Sequence, residues 1–134
     1  MATPSDDTPS DSDDVTFATI SGPVLSTDGV ANLLGWSAEA VTEAALDLRL
    51  LRLPTTDPTI FVYPDYQFVM PERVIVPGLQ SVLKVLSAAS DDPWEWAMFL
   101  TDDVEGERPI DQLESGNLSV ARAHAIDTAA AWRR

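Results

Sequence analysis

Apolar residues recur at three- and four-residue steps in several stretches of this chain, and each stretch is bounded by residues that start or stop helices. Leu79, Val82, Leu83 and Leu86 fall at i, i+3, i+4 and i+7, which predicts a helix opening at Gly78-Leu79 and ending near Ala89. Upstream, Val30, Ala31, Leu33 and Leu34 make the apolar side of a helix over Thr27 to Leu34, with Ser26 as its N-cap and Gly35 as its stop. Ser37 supplies a second N-cap, and Val41, Ala44, Ala45 and Leu48 carry the next helix to about Arg49. Two short helices joined by a Gly-containing turn predict a helix-turn-helix.

The period then changes. Leu50 to Leu53 and Ile60 to Tyr63 flank a turn built from Pro54, Thr55, Thr56, Asp57, Pro58 and Thr59, the pattern of two strands that would form the wing of a winged helix-turn-helix. A further β-prone run, Val15 to Ile20, precedes Gly22-Pro23. Tyr66-Gln67-Phe68 and Val74 to Val76 read as an extended connector leading to the helix that begins at Leu79.

Beyond that helix, Asp92 is placed to cap and Pro93 to occupy a first helical position, where its missing N–H and fixed φ cost little. The helix from Pro93 to about Leu100 carries Trp94, Ala97 and Met98 on one side and Trp96, Phe99 and Leu100 on another, so burial between two layers is expected. Pro109 starts a short turn of helix over Ile110 to Glu114, and Ser115-Gly116 ends it. Asn117 is a cap candidate for the last helix, Leu118 to about Trp132. Its many alanines (Ala121, Ala123, Ala125, Ala129, Ala130, Ala131) let another backbone come close.

Charge alters this picture in two places. Five aspartates, Asp6, Asp7, Asp11, Asp13 and Asp14, crowd the first 14 residues beside Ser, Thr and Pro, a composition with almost nothing to bury, so residues 1–14 are expected to be a disordered acidic tail. Residues 15–68 then form the winged unit and residues 69–134 a helical domain. The whole chain has a net charge of −14, with 22 acids against 8 basic residues, the wrong balance for a protein whose main task is neutralising phosphates. Most pointedly, the helix that would enter a DNA groove carries Glu39, Glu43 and Asp47 at four-residue spacing and no basic residue before Arg49. Either that helix is a degenerate packing element, or Arg49 and Arg52 beside the wing make the contact.

Enzyme chemistry finds little support. There is no cysteine and a single histidine, His124, so thiolate nucleophiles, disulfides and His- or Cys-based metal sites are excluded from the expectation, and no cofactor is implied. Asp91-Asp92, Asp102-Asp103 and Glu105 with Glu107 are paired carboxylates, yet the run around Gly106 reads more simply as a solvated loop. Trp94 and Trp96 are read as core, Trp36 and Trp132 as candidates for partner contact. Neither a leader nor a run of about 18 apolar residues is present, so no membrane association is expected and the cytoplasm is the default location.

Several of these pieces together resemble the antitoxins of the Xre/MbcA/ParS type, whose toxin-binding domain pairs with RES-domain toxins. The resemblance spans roughly Val24 to Arg134 and rests on Tyr63-Pro64-Asp65-Tyr66-Gln67-Phe68, Pro77-Gly78-Leu79, Asp92-Pro93-Trp94, and Arg108-Pro109-Ile110-Asp111-Gln112-Leu113 with Ser115-Gly116. It implies an antitoxin of a type II system that docks on an NAD-consuming RES toxin and occludes its active site, with autoregulation of its own promoter as an added role in many members. The toxin-binding surface expected on that basis comprises Leu118, Arg122, Ala125, Ala129, Trp132, Arg133 and Arg134. The two arginines are suited to bidentate contacts with acids in a cleft, against the plainer reading of a solvated tail. A homodimer through the Ala-rich helix is a second partner the sequence permits. The fold expected is mainly α with a small β-hairpin: a degenerate winged helix-turn-helix followed by a small helical toxin-binding domain. The competing function is a winged helix-turn-helix transcriptional regulator that binds DNA.

Overall fold

The structure is a computed structural model that describes residues 23–103 and 106–134. The acidic tail and the strand expected over Val15 to Ile20 lie outside the described residues. The described residues open with β1 (Val24–Leu25), followed by α1 (Thr27–Leu34) and α2 (Ala38–Leu46). Both helices start on the serines expected. Ser26 Oγ accepts from the Gly29 N–H at 3.0 Å and Ser37 Oγ from the Ala40 N–H at 3.0 Å, each satisfying one of the donors that a first turn leaves free. Gly35 ends α1 at φ 73°, where a side chain would be strained.

The second helix stops earlier than its apolar spacing suggests. Leu48 adopts φ 63°, a left-handed conformation that cannot continue a helix, so Asp47, Leu48 and Arg49 form a turn. Leu50 and Leu51 then run in extended connection rather than in a strand, and the wing is made by β2 (Leu53–Pro54) and β3 (Phe61–Pro64). β1 and β2 both pair antiparallel with β3, giving a three-stranded sheet in the order β1-β3-β2. This sequence of strand, two helices and hairpin is a winged helix-turn-helix.

The expected extended connector is instead a second hairpin. A 3-10 turn over Asp65–Gln67 leads into β4 (Phe68–Val69), which pairs antiparallel with β5 (Val74–Ile75). Four helices follow: α3 (Leu79–Ser87), α4 (Pro93–Thr101), α5 (Pro109–Glu114) and α6 (Leu118–Trp132). Asp92 caps α4 as expected, its Oδ1 accepting from the Trp94 N–H at 3.0 Å. Asn117 stands at the N-cap position of α6 but makes no capping bond with its side chain.

The two hairpins divide the interior. Successive side chains on extended backbone point to opposite faces. Leu50, Tyr63 and Phe68 therefore join Val30, Ala31, Val41, Ala44 and Ala45 in one apolar cluster. Leu51, Val62 and Val69 face the other way, toward α3, α4, α5 and α6. There Leu79, Val82, Leu83 and Leu86 are all at most 1% exposed, each contributing on the order of 2 kcal/mol by leaving water. Between the clusters lies Gln67, fully buried, whose side-chain amide substitutes for a strand. Its Oε1 accepts from the Leu51 N–H at 2.8 Å, and its Nε2 donates to Leu51 O at 3.0 Å and Pro64 O at 2.9 Å.

The helix over Pro93–Thr101 is buried on one side rather than two. Trp96, Ala97, Phe99 and Leu100 are buried and Trp94 is half-buried, but Met98, expected beside Ala97 in the interior, is 55% exposed. The Trp96 indole is fixed by its Nε1–H, which donates to Ser90 O at 2.9 Å.

Candidate functional site

Among the described residues no group of three or more His, Cys, Asp or Glu is placed to hold a metal ion, and no helix is long and apolar enough to cross a membrane. The two surfaces singled out by the sequence are the α2–wing face and α6.

On the first, α2 turns Glu39, Glu43 and Leu46 outward, with Leu46 70% exposed, and the adjoining turn adds Asp47. The loop of the wing is organised by its own side chains: Thr55 Oγ1–H donates to Asp57 O and Ile60 O, while Asp57 Oδ1 accepts from both the Thr59 N–H (2.9 Å) and the Thr59 hydroxyl (2.7 Å). Those two Thr59 donors hold the Asp57 carboxyl below its ordinary value, so the wing tip is firmly anionic at neutral pH. Neither candidate cation balances this. Arg49 is ion-paired with Asp47 at 3.2 Å, and the Arg52 guanidinium carbon sits over Phe61, 3.8 Å from the ring centroid. The surface that would meet DNA thus presents four carboxylates and two arginines that are already engaged.

On the second surface, the face of α6 chosen from the sequence is the face turned inward. Ala121, Ala125 and Ala129 recur at four-residue steps, are all 0% exposed and are part of the interior that α6 makes against α3. The small-residue stripe does allow a backbone to come close, and that backbone belongs to the same chain. Ala125 and Ala129 are therefore corrected from contact residues to core. Arg122 stands at the edge of this face, exposed, with its Nε–H donating to Ser81 Oγ of α3 at 3.2 Å. Trp132 is half-buried against the core, and Arg133 and Arg134 are exposed.

What remains open is the opposite flank. Gly116, Leu118, Ser119, Arg122, Ala123 and Ile126 line a shallow groove of about 500 Å³, in which Leu118 is 37% and Ile126 42% exposed. Of the expected residues only Leu118 and Arg122 belong to it. Ser119, Ala123 and Ile126 were missed, although their i, i+4, i+7 spacing was readable as a second stripe once Ala121, Ala125 and Ala129 are assigned to the core. A different groove of about 320 Å³ lies on the other side of α6, lined by Glu95, Met98, Phe99 and Asp102 of α4 and its C-terminal cap with Thr128 and Trp132.

The comparisons with known proteins speak to the fold. No protein-family model matches the sequence, and no curated protein matches it. The chain is similar to the NMR structure of Rv2175c. The two superpose with a TM-score of 0.68 at 21% identity, over 80% of this chain and 81% of that one, so the likeness takes in the winged unit and helices together.

The start of α5, which sets where α6 begins, is held by electrostatics. Arg108 Nε–H and Nη2–H donate to Asp111 Oδ2 and Oδ1 at 2.9 and 3.0 Å, a bidentate pair about 40% exposed on either side. These hydrogen bonds hold the Asp111 carboxyl below its ordinary value. A depressed carboxyl stabilises the fold above its unfolded value, near 3.9, and the contribution is lost as pH falls through the folded value. Asp111→Asn is accordingly expected to lower stability in urea by no more than about 1 kcal/mol at pH 7, since the pair is solvated, and by less at about pH 2.5, where the carboxylate is being protonated. Equal deficits at both pH values would dissociate the ion pair from stability.

Proposed function

We propose that this chain is an interaction protein, an antitoxin of a type II system that binds a RES-domain, NAD-consuming toxin and occludes its active site, as the sequence resemblance implies. The observation that carries the reading is the outer flank of α6, where Leu118 and Ile126 stand exposed on either side of small residues in a groove open to solvent. Exposed aliphatic side chains around small ones suit the insertion of a partner's side chains, and Arg122 in the lining supplies a polar contact. The acidic α2 and wing add support by leaving the winged unit poorly fitted to phosphate.

Deleting α6 would be uninformative, because Ala121, Ala125 and Ala129 are core and the truncated chain would not fold. The informative variant is Ala123→Glu/Ile126→Asp, on two exposed positions. If the neighbouring gene encodes a RES domain, then in a pull-down and titration against its product this variant is expected to keep native far-UV circular dichroism and lose at least about 30-fold in affinity. Wild-type affinity in the variant would move the interface elsewhere, and no binding by the wild-type chain would end the antitoxin reading.

The topology of β1, α1, α2, β2 and β3 favours a second reading, a winged helix-turn-helix regulator that binds DNA. Fluorescence anisotropy on its own upstream duplex at about 0.15 M salt separates the two. Sequence-specific binding there supports the regulator, whereas attraction seen only at low salt is non-specific.

A further inference from the structure

We propose that the groove between α4 and the last turn of α6 is a receptor for a cationic side chain, a guanidinium or ammonium group carried by a partner protein. It lies on the opposite flank of α6 from the Leu118–Ile126 stripe, so it stands or falls independently of the antitoxin reading.

Three features of the groove select that chemistry. Its walls are apolar and soft: Phe99, the half-buried ring of Trp132 and the thioether of Met98, which is 55% exposed although it sits among buried neighbours on α4. An aromatic face attracts a cation, and an apolar wall accepts the methylene stem that carries it. Its charges are all of one sign. Glu95 and Asp102 are the ionisable residues lining it, and neither belongs to the ion pairs formed among the described residues, which are Arg49–Asp47 and Arg108–Asp111. Glu95 accepts the Ser90 hydroxyl and has further acceptor capacity on its carboxylate. Finally, the groove is bounded by two helix C-termini. α4 ends at Thr101 immediately before Asp102, and α6 ends at Trp132, so the negative ends of both helix dipoles lie near the groove, that of α6 partly offset by Arg133 and Arg134 beyond it.

A neutral ligand gains only the contacts with the apolar walls, an anionic one is repelled by the two carboxylates, and an apolar one would leave those carboxylates partly desolvated without a partner. The overall charge of −14 further favours approach of a positive group.

The test uses the full chain with ¹³C-methyl methionine and ¹⁵N-indole labels, titrated with N-acetyl-arginine amide, N-acetyl-lysine amide and N-acetyl-glutamine amide as a neutral probe of similar length. Expected are saturable shifts of the Met98 methyl and the Trp132 indole with the arginine or lysine probe, no comparable shift with the glutamine probe, and a stationary Met70 methyl. Glu95→Gln/Asp102→Asn, on two exposed positions, is expected to weaken the cationic probe by at least about fivefold with unchanged circular dichroism. The proposal is overturned if Met98 and Trp132 do not respond, if the glutamine probe moves them equally, if Met70 moves as much as Met98, or if the double variant binds as the wild type does.

Discussion

Replacing Gln67 by leucine is expected to lower the unfolding free energy by about 3–5 kcal/mol, the largest effect of any single polar substitution in this chain. The side chain is fully buried and all its bonding capacity toward the backbone is used: it receives the Leu51 N–H and donates to Leu51 O and Pro64 O. Leucine fits the volume but leaves one buried donor and two buried acceptors without partners, and each costs about 1–3 kcal/mol. Set against a total stability of about 5–15 kcal/mol, that loss leaves a marginal fold. Urea unfolding followed by circular dichroism measures it. Gln67→Glu is the sharper control. The carboxylate can still accept from Leu51 but cannot donate, and it places a charge in the interior, so at pH 7 it is expected to be at least as damaging as leucine. Burial raises the pKa of such a carboxyl, and the protonated form regains one donor. The deficit of this variant relative to the wild type should therefore shrink as pH falls toward about 4.5. A deficit under about 1 kcal/mol for leucine would show that the Gln67 bridge does not hold the two hairpins together.

The second large effect is expected at Gly78, which joins β5 to α3. Its φ of 84° is one that a side chain resists, and a Cβ there would lie 2.8 Å from Leu118 Cδ1 and 3.2 Å from Leu113 Cδ2. Gly78→Ala thus combines a left-handed backbone penalty of about 1–2 kcal/mol with overpacking of about 1–3 kcal/mol against α5 and α6. A loss of about 2–4 kcal/mol is expected in the same urea assay. The two terms separate in a double variant: Leu118→Ala removes the nearer methyl contacts, so Gly78→Ala/Leu118→Ala should recover the overpacking part and retain the backbone part. Additivity of the two substitutions would mean that the Gly78–Leu118 contact is not tight.

The close approach at Gly78 ties the start of α3 to the start of α6, and with it fixes which flank of α6 faces outward. Gly78 thereby bears on the proposed function through Leu118, which lines the groove. A shift of α6 by even a small rotation would carry Ile126 and Ala123 toward the core and alter the groove that the proposed partner meets.

The helix starts were legible in the sequence, as was the end of α1 at Gly35; the end of α2 was not, because Leu48 turns left-handed. Ser26, Gly35, Ser37, Asp92 and Pro93 each act within four residues of themselves, and the structure uses them where they stand. The apolar spacing of Leu79, Val82, Leu83 and Leu86 needed no knowledge of what covers it. The two helices and the hairpin of the winged unit were legible too, whereas β1 (Val24–Leu25) was not read as a strand. The acidic character of α2 could be read as spacing alone, and the structure adds that Arg49 and Arg52 are both occupied.

The candidate surface was read less well, for a definable reason. A helix such as α6, with alanine on several sides, has no strong apolar stripe, so its periodicity does not say which side is buried. Ala125 and Ala129 look the same as Ala123 in the sequence. Their roles separate only when α3 takes one flank. Met98 is the converse case, an apolar residue left in solvent because α4 is covered on one side.

By itself, then, the sequence determined what depends on near neighbours: where the helices begin, the two stretches that supply the wing, and the negative charge of the face that would read DNA; the end of α2 and the strands β1, β4 and β5 were not read from it. Tertiary structure decided what depends on residues distant in the chain. It turned a presumed connector into the β4–β5 hairpin, made Gln67 the partner of Leu51, and chose the flank of α6 that remains open. Those outcomes rest on packing and hydrogen bonds between segments separated by tens of residues, and no local pattern encodes which of several equivalent faces another segment will cover.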